Sequence, residues 1–379
     1  MINLNKFKEL LSVPTKTYKE TKMVEYIMSS IGDMDGITLT CDEHNNIYAT
    51  KGTLDKGEFY PMFISHTDTV HELIDKIIVK EEMLSRPITF GKTFDKELVP
   101  CLKAYDENGN PTGIGGDDKC GIFICLELLK QLDKVKVAFF VSEETGCHGS
   151  RNCNVDFLKD VGYCAQYDAP GDHLISLSCS GTQLFDVDGE FFKLALPSVI
   201  KSFKNEMMVQ SHPYTDIMQI KQKSDFSCIN ISCGYYNMHT SNEFVCVDDV
   251  VRSIEAGKNL VKDLGFKKYE FKNEQPTKSQ TFFDFDNTED SPFYDDVHQL
   301  KSIDIIEEEE GFIIVDIYEE NQFYIDDEDG YKLYKILKDR YLFNWPSWIL
   351  KSAGLNRLGW VAIAITESTV DNPYCLSPK

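Results

Sequence analysis

Residues 60–70 read Tyr-Pro-Met-Phe-Ile-Ser-His-Thr-Asp-Thr-Val, and this pattern guides the interpretation of the rest of the chain. Residues 60–65 form an almost wholly apolar run of strand length, which predicts a buried strand. The run ends at His66, and Asp68 follows two residues later. Because residues two apart on a strand point the same way, the Asp68 carboxylate is placed to accept one ring N–H of His66 and leave the other nitrogen free. The alternative is an ordinary polar loop after a strand.

The same order of an apolar run and then a polar residue recurs along the first two-thirds of the chain. Further buried strands are predicted at residues 135–141 before Glu143, 161–165 before Asp168 and 229–233 before His239. Helical patterns lie around them, at residues 4–13, 17–31, 117–132 and 247–264. This alternation predicts an α/β fold, with a mixed sheet sandwiched by helices. Open α/β sheets carry their chemistry at the loop edge beyond the strands, so the polar residues are expected to gather there.

Composition excludes some classes of partner. The chain has 379 residues, 42% of them hydrophobic, and a formal net charge of -23. This length suffices for one large domain and a smaller one. A strongly acidic chain repels the phosphates of nucleic acids and of anionic membranes, so neither is expected as a partner.

The composition changes near Gly265. Residues 267–280 are polar and basic, and residues 281–330 hold 18 Asp and Glu residues against the single Lys301. Apolar content returns over residues 334–366. The sequence therefore predicts two domains: residues 1–265 as one large α/β domain, and residues 266–379 as a small acidic α+β module of unknown role.

Twelve cysteines are scattered through the chain without a Cys-x-x-Cys pair. Neither a disulfide scaffold nor a cysteine-built zinc site is expected from this spacing, and the thiols are predicted to be reduced and mostly buried. The N-terminus lacks the apolar core of a signal peptide, and no apolar run reaches the about 18 residues of a membrane span. A cytoplasmic location is therefore expected.

Five short segments carry the potential metal ligands. They are residues 65–70 (Ser-His-Thr-Asp-Thr-Val), 115–119 (Gly-Gly-Asp-Asp-Lys), 142–146 (Ser-Glu-Glu-Thr-Gly), 166–168 (Gln-Tyr-Asp) and 237–240 (Asn-Met-His-Thr). Two histidines, several carboxylates and one spare glutamate are the ligands and the general base that a pair of zinc ions needs. Each segment also has an ordinary alternative. Asp117 and Asp118 suit a helix N-terminus, and Glu143 and Glu144 suit an exposed loop.

Four of these motifs occur together in a known family. The chain contains Ser-His-x-Asp-Thr-Val from Ser65, Gly-x-Asp-Asp-Lys-x-Gly from Gly115, Glu-Glu-x-Gly-x-x-Gly-Ser from Glu143 and His-Thr-x-x-Glu from His239. The set resembles the cocatalytic zinc peptidases, specifically the peptidase T and aminoacylase-type group and its lidless aminopeptidase relatives. The resemblance covers about residues 1–265.

The resemblance implies a role for each candidate residue. It places His66 and Asp168 at the first metal, Glu144 and His239 at the second, and Asp117 as the bridge between the two. It also implies that Glu143 is the general base and that Asp68 orients His66. Asp118 is left for the helix start, and Glu243 of the last motif is expected to be structural. The implied cofactors are two Zn²⁺ ions, although such a ligand set also accepts Co²⁺ or Mn²⁺.

The spacing of the motifs bears on the architecture. The peptidase T and aminoacylase-type proteins insert a lid domain between the fourth ligand and the final histidine. Here the interval from Asp168 to His239 is only 71 residues and has to supply core strands, so no inserted lid domain is expected. Residues 73–113 are instead predicted to form a strand-rich excursion that ends in a tight turn.

The sequence thus predicts a di-zinc metallo-exopeptidase that hydrolyses amide bonds of small peptides, as an aminopeptidase or a tri- or dipeptidase. An N-acyl amino acid deacylase of the same chemistry is one alternative. The other is a non-catalytic metal-binding interaction protein in which the acidic module is the working part. Because Glu143 and all five candidate ligands are present, an enzyme is favoured. The substrate, the recognised peptide terminus and the oligomeric state stay open.

Overall fold

The apolar run that ends at His66 forms the strand Tyr60–His66 in the computed structural model of the chain, and every residue of this strand is buried. The strand lies inside the largest sheet. The structure describes residues 2–90, 93–204, 208–212 and 214–272, together with the backbone of three strands between residues 303 and 326. The predicted buried strand is confirmed.

The first unit of the chain, Met1–Glu274, contains the helices and strands that build the candidate site. Its helices are α1 (Leu4–Leu11), α2 (Thr21–Gly32), α3 (Gly116–Gln131), α4 (His148–Arg151), α5 (Glu190–Ile200), α6 (Asp216–Gln222) and α7 (Val247–Leu264). Its strands are β1 (Ile37–Cys41), β2 (Ile47–Lys51), β3 (Tyr60–His66), β4 (Ile78–Phe90), β5 (Thr93–Tyr105), β6 (Val135–Phe140), β7 (Val161–Ala169), β8 (Leu174–Cys179), β9 (Thr182–Gln183), β10 (Met208–His212), β11 (Ser227–Ser232), β12 (Tyr235–Tyr236) and β13 (Phe244–Cys246). The second predicted helix starts later than expected, because residues 17–18 form a turn.

The main sheet mixes parallel and antiparallel pairs. Its order is β1-β2-β6-β3-β7-β11-β8-β10, with β9 paired to β8. Strand β3 runs parallel to β6 and β7, and β11 runs parallel to β7. Strands β2 and β8 run antiparallel to their neighbours β6 and β11. The predicted mixed α/β sheet is therefore confirmed. Because four neighbouring parallel strands end at the same edge, the residues that follow them are brought together there.

Helices cover the main sheet, which explains why β3, β6 and β7 are buried along their whole length. Helix α3 packs on β3 and β7 and also contacts α1 and α7, while α6 packs on β11 and β7 and also contacts α4. The ring of Phe7 on α1 stacks on Phe123 of α3 at a centroid distance of 4.3 Å. This stacking ties the N-terminal helix to the core.

The predicted strand-rich excursion is a long hairpin. Strand β4 pairs antiparallel with β5, and β5 pairs with β13 to give a four-stranded sheet that ends with β12. Arg86 of the hairpin is buried and forms ion pairs with Asp172 at 3.2 Å, with Glu97 at 3.1 Å and with Asp249 of α7. The pairs with Asp172 and Asp249 fix the hairpin to the rest of the unit.

The interval between Asp168 and His239 builds the main sheet. Over its described residues, β8, β10 and β11 are strands of that sheet, α5 packs on α7 and α6 packs on the sheet. No separate lid sheet occurs in this part of the interval, in agreement with the prediction.

The first unit extends past the boundary expected at residue 265 and ends at Glu274. Residues 266–272 continue to bond to the main sheet, since the Tyr269 N–H donates to the Gly162 carbonyl at 3.0 Å. The Tyr269 ring is buried as well. Because residues 266–272 are mostly polar, their composition did not indicate these contacts.

The second unit, Gln275–Lys379, has one described sheet. Its strands are β14 (Ile303–Glu308), β15 (Gly311–Asp316) and β16 (Gln322–Asp326), paired antiparallel in that order. The helical part of the predicted α+β module and the apolar stretch 334–366 lie outside the described residues. The role of this unit stays a prediction.

Two further expectations concern the whole chain. None of the helices within the described ranges is both long and apolar enough to cross a bilayer. The eleven cysteines in those ranges are free thiols, and all but Cys41 are buried.

Tyr269 is expected to contribute strongly to the stability of the first unit. Its ring centroid lies 5.6 Å from that of Phe191 and 5.9 Å from that of Tyr163, and its hydroxyl donates to the Leu264 carbonyl at 2.8 Å. Tyr269→Ala in the full chain should lower the free energy of unfolding by about 3–5 kcal/mol, the usual result of removing a buried aromatic ring. Tyr269→Phe keeps the ring and should lower it by only about 1 kcal/mol. Chemical denaturation measures both, and an unchanged stability of Tyr269→Ala would exclude this segment from the core.

Candidate metal centre

The strand ends bring five polar side chains to one edge of the main sheet. His66 ends β3, Asp168 lies near the end of β7, Glu144 follows β6, Asp117 lies at the start of α3, and His239 follows β12. These are the five residues predicted as metal ligands, and all of them meet at this edge. The backbone of Asp117 has φ -79° and ψ 101°, so the chain departs from helical geometry where its side chain enters the cluster.

The Asp117 carboxylate lies between the two histidines. Its Oδ1 is 3.1 Å from Nε2 of His66, and its Oδ2 is 3.2 Å from Nε2 of His239. The carboxylate therefore presents one oxygen to each of two neighbouring positions, which is the arrangement that a bridging ligand requires.

Each histidine has a second carboxylate beside it. Asp168 Oδ1 is 3.8 Å from Nε2 of His66, and Glu144 Oε2 is 3.3 Å from Nε2 of His239. The ligand atoms of a tetrahedral zinc ion with bonds of about 2.0–2.1 Å lie about 3.3–3.4 Å from one another. The distances around Asp117 and His239 match this spacing. Two overlapping groups of donors have ligand atoms within 4.8 Å of one another: His66, Asp117 and Glu144, and His66, Asp118 and Asp168.

The charges of the cluster also fit a cation. Glu144 Oε1 is buried and has no hydrogen-bond partner among the described residues, which is unfavourable for a carboxylate oxygen. Burial and the nearby Asp117 raise the pKa of Glu144 to about 7, while Asp117 and Glu144 raise the pKa of His239 to about 11. A divalent ion would supply positive charge in this place and would displace the proton from the imidazole. Donors of the His, Asp and Glu type suit Zn²⁺, and also Co²⁺ or Mn²⁺.

Asp68 connects the first histidine to the loop that carries the two glutamates. Its Oδ1 lies 3.3 Å from Nδ1 of His66 and accepts the Glu143 N–H at 2.9 Å. Its Oδ2 accepts the Glu144 N–H at 3.2 Å and the Thr17 hydroxyl at 2.8 Å. Burial raises the pKa of Asp68, but His66 and these donors outweigh burial and bring the pKa below its ordinary value. One carboxylate thus orients both a ring and a loop.

Asp168 is oriented by its own hydrogen bonds. Its Oδ2 accepts a hydrogen bond from Gln166 Nε2 at 3.1 Å and another from the Thr215 hydroxyl at 2.5 Å. These two donors leave Oδ1 facing His66. Burial lowers the pKa of His66, but Asp117, Asp168 and Asp68 outweigh burial and raise it well above the ordinary value.

Glu143 is buried beside the cluster and belongs to neither group of donors. Burial raises the pKa of Glu143, His66 opposes this rise, and repulsion by Asp168 and Asp216 adds to it, so that the pKa lies well above its ordinary value. A buried carboxyl group with a raised pKa beside a group of possible metal ligands could act as a general base and then as an acid.

The backbone before Glu143 is strained. Ser142 has φ 54°, a left-handed conformation that non-glycine residues seldom adopt. The Glu20 carboxylate stabilises it, because Oε1 accepts the Ser142 N–H at 2.8 Å and the Ser142 hydroxyl at 2.9 Å. This turn directs the two glutamates into the edge of the sheet.

Asp118 also lies near the cluster, within 4.8 Å of donors from His66 and Asp168. Its oxygens already have partners: Oδ2 accepts the His66 N–H at 3.2 Å, and Oδ1 accepts the Gly121 N–H at 3.0 Å. Asp118 therefore positions His66 and the start of α3, which agrees with its predicted place at the helix start.

Glu243 has a larger part in the site than its motif indicated. It is fully buried, its Oε2 accepts the Gly115 N–H at 2.8 Å, and its Oε1 accepts the Asp117 N–H at 3.0 Å. His71 Nε2 lies 2.6 Å from the same Oε2. Glu243 thus holds the turn that carries Asp117. Its motif was the only signal in the sequence, and nothing in the sequence pointed to His71, Thr17 or Thr215 at all.

Comparison with known proteins finds solved structures with a similar fold, but no similar sequence. No family model matches the chain, and no curated protein matches it in sequence. The solved structure of aminopeptidase PepT from Bacillus cereus ATCC 10987 superposes with a TM-score of 0.54 at 15% identity, covering 69% of this chain and 97% of that chain. A tripeptidase from Staphylococcus aureus subsp. aureus mu50 superposes with a TM-score of 0.53 at 15% identity, covering 69% and 98%.

A third structure is similar. The TET aminopeptidase from the marine sediment archaeon Thaumarchaeota archaeon SCGC AB-539-E09 has a TM-score of 0.50 at 12% identity, with 69% of this chain and 97% of that chain covered. Identities this low establish the fold alone. The chain therefore has the fold of these solved peptidases, and the resemblance that its motifs predicted is confirmed at the level of the fold.

Proposed function

We propose that this chain is a zinc-dependent exopeptidase with two metal ions, and that it hydrolyses amide bonds of small peptides. The observation that carries the proposal is the Asp117 carboxylate, placed with one oxygen toward each of two histidines. The proposed ligands are His66, Asp117 and Asp168 for one ion, and Asp117, Glu144 and His239 for the other. Glu143 is the proposed general base, and Asp68 is the residue that orients His66.

The chemistry divides between the ions and the chain. When bound, the two ions would polarise the scissile carbonyl and acidify the attacking water. Glu143 takes a proton from that water and delivers it to the leaving amine, so one carboxyl group acts first as base and then as acid. Asp68 holds Glu143 in place through its backbone N–H. Because burial keeps bulk water away from Glu143, the proton stays available for the amine.

Small peptides are the proposed substrate class for two reasons. The structures that share this fold include an aminopeptidase and a tripeptidase. The His239 side chain is 46% exposed, so the second group of donors is reachable from solvent. Deacylation of N-acyl amino acids needs the same residues and is the competing reaction.

We also propose a cytoplasmic location. The free thiols support it, because many unpaired cysteines are typical of a reducing compartment.

A panel of short peptides tests the activity directly. The metal-saturated chain would be assayed on N-acyl amino acids and on free, N-acylated and C-amidated di- and tripeptides. An aminopeptidase cleaves the free and C-amidated peptides, a peptidase that reads both ends cleaves only the free ones, and a deacylase acts only on N-acyl amino acids. Absence of hydrolysis across the panel would favour a non-catalytic metal-binding protein.

The metal content is the first quantitative prediction. The saturated chain should bind two divalent ions, and Asp117→Asn should bind fewer, because both donor groups share this carboxylate. An ion present at a hundred times its dissociation constant stabilises the fold by about 2.7 kcal/mol, so removal by a chelator should lower the thermal midpoint. Elemental analysis and thermal unfolding measure the two effects. Asp35→Asn, at an exposed aspartate, is the matched control. A fully active chain with one ion would contradict the bridging role.

The two adjacent glutamates are expected to separate catalysis from metal binding. Glu143→Gln keeps the shape of the side chain but removes the base, so kcat should fall by about 10²–10⁴ while the metal content stays near two. Glu144→Gln should instead weaken the occupancy of one site. Steady-state kinetics and elemental analysis on the same preparations distinguish the two variants. The reverse pattern would mean that ligand and base are exchanged.

A further inference from the structure

The short segment formed by residues 15–20 is attached to the candidate site at several points. Its hydrogen bonds run from the Thr15 hydroxyl to the Thr67 carbonyl at 2.7 Å, from the Thr17 hydroxyl to Asp68 Oδ2 at 2.8 Å, and from the Ser142 N–H to Glu20 Oε1 at 2.8 Å. The segment therefore contacts both the loop after β3 and the loop after β6. It forms part of the wall around the donors.

Tyr18 occupies a strained position within this segment. The Lys19 N–H donates to the Lys16 carbonyl at 2.8 Å, which closes a four-residue turn with Tyr18 as its third residue. Tyr18 has φ 63°, in the left-handed region. Turns with positive φ at the third residue normally have glycine or asparagine there, because a larger side chain crowds the backbone. Tyrosine is an unfavourable choice for this turn.

Packing in the hydrophobic core does not explain why tyrosine occupies this turn position. The Tyr18 residue is 67% exposed and is absent from the hydrophobic core. Its hydroxyl accepts a hydrogen bond from the Thr145 hydroxyl at 3.0 Å and lies 3.1 Å from Nε2 of His148. Thr145 directly follows Glu144, one of the proposed ligands. The strained turn thus puts an exposed aromatic ring against the loop that carries the proposed base and ligand.

We propose, on the basis of the function proposed above, that Tyr18 is a specificity-determining residue whose ring contacts a large apolar side chain next to the scissile bond of the peptide. Strained residues that packing does not require concentrate at ligand-binding sites. The neighbouring side chains of Glu144, Thr145 and His148 are polar, so the ring supplies an apolar face beside them. Aromatic rings bind apolar and aromatic side chains by offset or edge contacts, which gives selectivity for such peptides.

A purely structural role is the competing explanation. The Tyr18 hydroxyl would then hold residues 143–146 in place through its hydrogen bond to Thr145, and the ring would serve only to carry the hydroxyl. Two variants distinguish these roles. Tyr18→Phe removes the hydroxyl and keeps the ring, whereas Tyr18→Gly removes both and relieves the backbone strain.

The test uses the full, metal-saturated chain with Tyr18→Gly, Tyr18→Phe and Asn45→Gly. Asn45 is an exposed residue with φ 69° in the turn between β1 and β2, so its variant controls for a glycine placed at positive φ. Tyr18→Gly should raise KM about tenfold for peptides with Phe or Leu beside the scissile bond. Its KM for glycine-only peptides and its kcat should stay within about twofold. Its thermal midpoint should be unchanged or higher by about 2 °C. Tyr18→Phe and Asn45→Gly should keep the KM of the unaltered chain.

A binding measurement makes the result independent of turnover. Calorimetry with the same peptides on Glu143→Gln, with and without Tyr18→Gly, should show the same tenfold loss for Phe and Leu peptides. If the unaltered chain hydrolyses no peptide but this binding difference is found, the proposed function fails and the role of Tyr18 stands. The role is overturned if Tyr18→Gly leaves both KM and binding unchanged, if no peptide binds, or if Tyr18→Phe reproduces the whole loss. If Tyr18→Gly lowers the thermal midpoint and reduces kcat equally on every peptide, Tyr18 has only a structural role.

Discussion

The placement of the Asp117 carboxylate between two imidazole rings is the constraint on which the rest of the site depends. Around it the fold buries the carboxyl groups of Asp68, Asp118, Glu143 and Asp168 at a single edge of the main sheet. Carboxylates packed so closely repel one another, and burial removes the water that would otherwise screen them. Positive charge between them makes the arrangement more favourable, and the two histidines supply part of it. The divalent ions proposed above would supply more.

A second layer of buried carboxylates makes this placement rigid. Glu243, Asp118 and Asp68 each accept backbone N–H groups from residues that carry or adjoin the proposed ligands. Loops at a sheet edge would otherwise leave these donors without partners in a buried setting, which is costly. The same hydrogen bonds therefore stabilise the loops and orient the side chains. A site built in this way is organised before any ligand arrives, so little reorganisation would oppose binding.

The backbone strain in this unit lies mostly where the chemistry is proposed. Ser142, Asn237 and His239 all have positive φ without being glycine, and they flank or belong to the donor set. Such conformations persist only when the surrounding structure determines them. The fully buried strands β3, β6 and β7, covered by helices, provide that support. The stability of the sheet offsets the cost of the strained backbone in the loops at its edge. These loops carry the side chains of the candidate site.

The sequence by itself determined the class of fold and the identity of the candidate donors. Apolar runs of strand length alternate with helical patterns, and burial of such runs leaves few arrangements other than a covered α/β sheet. The polar residues that end those runs had to meet at one edge. The sequence did not determine which member of each adjacent pair of carboxylates faces the candidate site. Asp117 and Asp118 are of the same residue type, as are Glu143 and Glu144, so the sequence alone does not distinguish them. Tertiary structure distinguishes Asp117 from Asp118, because it presents the Asp117 carboxylate to both histidines, while backbone N–H groups donate to Asp118. It also decided where the first unit ends. The backbone hydrogen bonds of residues 266–272 join parts of the chain that lie more than 40 residues apart in sequence, which no local pattern can show.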